Sequence, residues 1–74
     1  MRKGGYYIRY HKRPSEDSYF AEEIECENIG EAIQNVLSKG NPPKIKNRFM
    51  WLVKIYKMVS SNKLKPAVEL RFFK

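Results

Sequence analysis

The chain reads as a small α+β domain of ββαββ order, one amphipathic helix packed on one face of a four-stranded, mostly antiparallel sheet. Three observations predict this. Residues 6–11 alternate apolar and polar at the period of two that a half-buried strand requires. Residues 29–37 place Ile29, Ala32, Ile33, Val36 and Leu37 at the spacing of one helical stripe. The second half of the chain is rich in the β-branched and aromatic residues that favour strands.

The first strand is "YYIRYH", with Tyr6, Ile8 and Tyr10 on one face and Tyr7, Arg9 and His11 on the other. "KRPSED" has the proline and small polar residues of a turn. A second strand from about Tyr19 to Cys26 puts Phe20, Ile24 and Cys26 inward and Tyr19, Glu23 and Glu25 outward. Glu22 breaks its apolar face, which suggests a strand end or a bulge.

Asn28 is an N-cap residue, Glu31 has the spacing of a capping box, and Gly40 is placed to end the helix as a C′ glycine. The two prolines of "NPPKIKNR" predict an exposed loop. In "NRFMWLVKIYKMV" a strand puts Phe49, Trp51, Val53 and Ile55 on the core face and Arg48, Met50, Leu52, Lys54, Tyr56 and Met58 on the other. A helix would also align Phe49, Leu52, Val53 and Tyr56, and residue type decides for the strand. "SSNKLKP" reads as a turn, and "AVELRFFK" as a last strand with Val68, Leu70 and Phe72 on one side and Glu69, Arg71 and Phe73 on the other.

Seventy-four residues make one domain, residues 1–74, whose core is small because a chain of this length buries only ~60% of its unfolded surface. A lone cysteine, Cys26, forms no intrachain disulfide, which fits a reducing, cytoplasmic setting. The longest unbroken apolar run of the third strand, "FMWLV", is far short of the ~20 residues of a membrane span, and no export signal precedes it.

Net charge is +7, unevenly spread. Residues 1–15 carry five basic and no acidic side chains, residues 16–31 seven acidic and no basic ones, and residues 32–74 ten basic against Glu69. Such a chain steers toward polyanions through its basic parts, or toward a protein through either.

With one face under the helix, the other presents aromatics and cations. Tyr7, Arg9, Lys54, Tyr56 and Arg71, supported by Lys12, Arg13, Lys44, Lys46 and Arg48, form a candidate nucleic-acid surface, on which rings stack bases and cations hold phosphates. Its partner would be nucleic acid or a nucleoprotein complex. Two alternatives stand beside it. The tyrosines and arginines pair across strands with Glu23, Glu25 and Glu69 as an ordinary solvated face; or Met50, Leu52, Tyr56 and Phe73 form an apolar patch for a host protein or a second copy.

Chemistry is sparse. One histidine, His11, and one cysteine complete no metal-ligand spacing, and no phosphate-cradling glycine loop is present. Cys26 reads as a buried small hydrophobe and His11 as a strand-end surface residue. The expectation is a non-enzyme without metal or cofactor.

The phrase "YYIRY…IECENIGEAIQNVLSKG" resembles small bacteriophage proteins, including some anti-CRISPR proteins, in which a strand ending in alternating glutamates enters a capped helix followed by antiparallel strands. The resemblance implies a stand-alone inhibitor or adaptor that occupies a host protein or nucleoprotein surface without catalysis. It assigns no individual residue a role, and the basic balance separates this chain from inhibitors that imitate DNA through acidity.

Overall fold

The computed structural model describes residues 5–13, 19–60 and 62–72. Its elements run β1 (Gly5–His11), β2 (Phe20–Glu25), α1 (Ile29–Leu37), β3 (Lys44–Ile45), β4 (Arg48–Phe49), β5 (Leu52–Ser60) and β6 (Lys63–Arg71). The four long strands form one antiparallel sheet in the order β2-β1-β5-β6, so the α+β class stands.

The expected loop at "NPPKIKNR" contains a small hairpin, β3 with β4, pairing Lys44 with Phe49 and Ile45 with Arg48. Lys46 and Asn47 at its turn both have positive φ, 51° and 69°, the requirement of a type I′ connection. Leu52, not Phe49, therefore begins the long central strand. At the far end, β6 starts at Lys63, within the residues read as a turn.

Register fixes which side chains share a face. Tyr6, Ile8 and Tyr10 of β1 stand opposite Lys57, Ile55 and Val53 of β5, and opposite Ile24, Glu22 and Phe20 of β2. Val68 and Leu70 continue this face on β6. Ile8, Tyr10, Val53 and Ile55 belong to one buried cluster with Ala32 and Val36 of α1 and with Met50. Fully burying side chains of this size contributes about 1.5–3 kcal/mol each.

The helix is capped as its residues require. The Asn28 side chain accepts from the Glu31 N–H at 3.1 Å, and its amide donates to Glu31 Oε2 at 3.4 Å. The C-cap is Ser38, and Gly40 follows two residues later at φ 123°, one place beyond the expected C′ position. A Cβ at Gly40 would lie 2.8 Å from the Pro42 carbonyl oxygen, so both backbone angle and space demand glycine.

Glu22 marks neither a strand end nor a bulge: it sits in regular register opposite Ile8. Its carboxylate accepts the Tyr10 phenol hydrogen and pairs with Lys39 Nζ at 3.0 Å. Lys39 also donates to Asn35 Oδ1 at 3.1 Å and lies over the Tyr10 ring. A charge on the apolar face is thus tolerated at the rim, where a phenol, an ammonium and water share it.

Candidate nucleic-acid interface

The residues proposed from sequence separate into two groups in space. Tyr7, Arg9, Lys54, Tyr56 and Arg71 lie on the sheet face opposite the core, as expected: Tyr7 pairs with Tyr56, Arg9 with Lys54, and Leu52 with Arg71. At its centre the Arg9 guanidinium carbon is 5.4, 4.8 and 4.9 Å from the ring centroids of Tyr7, Tyr19 and Tyr56. Tyr7 and Tyr56 also contact each other, at 6.4 Å between centroids. The three Arg9 distances are within the ~6 Å range of cation–π attraction. The rings expected to stack bases are therefore already engaged, and Arg9 Nε is buried with no hydrogen-bond acceptor among the described residues.

Around this centre the face is partly closed. His11 is 6% exposed, contrary to the surface position expected for it, and Tyr19 packs its ring 5.4 Å from the imidazole. Leu52, opposite His11, is 4% exposed and Met50 is fully buried. The apolar patch expected from Met50, Leu52, Tyr56 and Phe73 thus loses two of its members to the interior. Phe73 lies outside the described residues.

The second group gathers at the end of the sheet where β5 begins. Phe49 and Trp51, expected in the core, are 49% and 37% exposed. The alternation of β5 does not extend back through them, because the chain is passing from the β3–β4 hairpin into the sheet. The Met50 N–H donates to the Pro43 carbonyl at 2.7 Å, while Trp51 donates to His11 and accepts from Phe72. Met50 is turned in and its two aromatic neighbours out, with ring centroids 5.8 Å apart.

Phe49 and Trp51 line an open groove of about 400 Å³ together with Lys12, Arg13, Asn47 and Arg48. Lys44 adds its ammonium 5.4 Å above the Phe49 ring. Lys46, in the hairpin turn, reaches the Phe20 ring at 5.2 Å. Lys12, Arg13, Arg48 and Lys44 thus gather around two rings expected inside, while Lys46 is turned to Phe20. Phe49 and Trp51 are the candidate site residues that the sequence reading missed. A signal was available: the paired prolines and the basic "KIKNR" that follows them mark a turn, and strand parity cannot be carried backward across it.

Among the described residues no three His, Cys, Asp or Glu side chains are grouped to hold a metal ion. Cys26 donates to the Asn28 carbonyl at 3.4 Å; burial and the nearby Glu31 push its thiol pKa up, away from the reactive thiolate. No helix among the described residues is long and apolar enough to cross a membrane. Comparison of the chain with protein-family models, curated proteins and solved structures gives no match.

Proposed function

We propose that this chain is a non-catalytic module that binds single-stranded nucleic acid, alone or within a nucleoprotein complex, at the Phe49–Trp51 corner. The observation that carries the reading is the pair of exposed rings, 5.8 Å apart, rimming a groove edged by Lys12, Arg13 and Arg48. Exposed rings accept any base by its π-face, and cations on either side neutralise the flanking phosphates. A solvated surface has no need of two large aromatics at such a place, since exposing them forgoes burial free energy. The protein-binding alternative drew on Met50, Leu52, Tyr56 and Phe73 or on the acidic segment; of these, Met50 and Leu52 are buried and do not contribute to an exposed patch.

Trp51 is the chain's single tryptophan, so its fluorescence reports the site directly. Titration with a short single-stranded oligonucleotide at low salt is expected to quench that emission saturably, with affinity falling as salt rises. Absence of both quenching and binding at low salt would overturn the reading.

A further inference from the structure

At the opposite end of β5 the structure holds a second feature that points to a polyanion. Lys57 of β5 stands directly across from Lys65 of β6, on the face continued from Ile55, and both are exposed. Like charges directly opposite in an antiparallel pair destabilise it. Lys63, also exposed, adds a third ammonium where β6 begins. No acidic residue occurs anywhere from Lys57 to Val68. The ion pairs formed between described residues, Lys39 with Glu22 and Arg71 with Glu69, involve none of these lysines. Glu23 and Glu25, one position to either side of Lys57 by register, lie two strands away on the other face of the sheet.

We infer that Lys57, Lys63 and Lys65 form a second phosphate-contacting element that engages the same nucleic acid strand as the aromatic corner; this rests on the function proposed above. One strand, β5, joins the two sites. It follows Trp51 and ends at Ser60, and nine residues at ~3.3 Å each span roughly 30 Å. The Lys57–Lys65 pair lies six residues past Trp51 and Lys63 stands opposite Ser60, so at ~3.3 Å per residue the lysines are roughly 20–30 Å along the strand from the corner. The corner supplies stacking, and the ribbon supplies charge without rings. The unfavourable Lys57–Lys65 opposition is relieved when phosphates lie between the two ammonium groups.

The test compares the dependence of affinity on salt for the wild type, for Trp51→Ala and for the triple variant Lys57→Gln, Lys63→Gln, Lys65→Gln, using a single-stranded oligonucleotide of about 16 nucleotides, the upper end of single-strand site sizes. Each phosphate contact to a single strand contributes about −0.7 to the slope of log K against log salt, so the triple variant is expected to bind with a slope shallower by about 2. Between 50 and 200 mM salt the wild type then loses roughly 20-fold more affinity than the triple variant. Trp51→Ala is expected to bind more weakly with its slope unchanged. Wild-type slope and affinity in the triple variant would overturn the inference while leaving the corner in place. No oligonucleotide binding by the wild type would overturn both, as would lysine-dependent binding only to vesicles of anionic lipid. Thermal melting controls for folding: removing the Lys57–Lys65 opposition is expected to leave the triple variant at least as stable as the wild type.

Discussion

Phe49 and Trp51 hold their rings 5.8 Å apart in solvent while the residue between them, Met50, is completely buried. This separates the proposed binding surface from the core within three consecutive residues. Phe49→Ala and Trp51→Ala should each weaken oligonucleotide binding by about 1–3 kcal/mol, the worth of one base–ring stack. Each change also removes the Phe49–Trp51 ring contact, so stability should fall by about 0.5–1.5 kcal/mol or somewhat more, and the loss of affinity is read under conditions where the variant stays folded. Anisotropy titrations beside thermal melts check both halves, and a variant that loses stability and keeps its affinity contradicts the assignment.

Met50→Ala should show the reverse pattern. Removing a fully buried methionine that packs with Ile8, Val36 and Val53 costs about 2–5 kcal/mol, part of it for the cavity left behind. Denaturant unfolding should shift accordingly. Under conditions where the variant stays folded, its oligonucleotide affinity should remain near that of the wild type.

These opposite expectations for neighbours show where the sequence was legible. The helix, its Asn28 cap and the face carrying Tyr6, Ile8 and Tyr10 follow from local rules, because each periodic run lies within a single element. Tyr7, Arg9, Lys54 and Tyr56 were placed on the correct face for the same reason. Parity failed where two elements meet: a two-residue strand and a tight turn occupy the prolines' expected loop, and the phase of "NRFMWLV" is set by that hairpin as well as by the sheet. The clustering of Tyr7, Tyr19 and Tyr56 around Arg9 was equally out of reach, since Tyr19 arrives from the start of another strand and its ring leans over the face. Alternation tells which side a residue faces, not what covers it there.

That clustering has its own consequence. Tyr56→Ala removes one ring from Arg9 and its contact with Tyr7, which should cost about 1–2 kcal/mol of stability for a partly desolvated cation–π contact. Because Tyr56 lies away from the Phe49–Trp51 corner, oligonucleotide affinity should change less than twofold. A large loss of affinity with stability intact would instead return the binding surface to the sheet face.

The Tyr10–Glu22 contact gives a dependence on pH. Burial, then the hydrogen bond to Glu22 and then its charge, raise the Tyr10 phenol pKa well above its ordinary 10.0. The folded state therefore holds this proton more tightly than the unfolded state. The resulting stability is fully present below pH 10 and is lost as pH rises above the unfolded value toward the folded one. In Tyr10→Phe the phenol is gone, so the decline of stability with pH above about 10 should be shallower than in the wild type. At pH 7 the same variant should be less stable by about 1.5–3 kcal/mol, the worth of a hydrogen bond to a charged group. Parallel alkaline titrations of unfolding midpoints decide it, and identical slopes in both proteins would show that the phenol does not carry the effect.

Lys46 makes a last case, in which stability and binding should move in opposite directions. Its φ of 51° places a non-glycine residue in the left-handed region, which costs roughly 1–2 kcal/mol, whereas asparagine is one of the few residues that enters it readily. Lys46→Asn also gives up the ammonium over the Phe20 ring, worth about 0.5–1 kcal/mol at an exposed site. The difference favours the variant by about 0.5 kcal/mol, and its unfolding midpoint should rise slightly. If the turn lysine contacts phosphate, the variant's binding should lose about 0.7 from its salt slope. A turn that tolerates strain to keep a cation on the hairpin, over the Phe20 ring, accounts for both changes together; a variant less stable than the wild type would show that the ring contact outweighs the backbone.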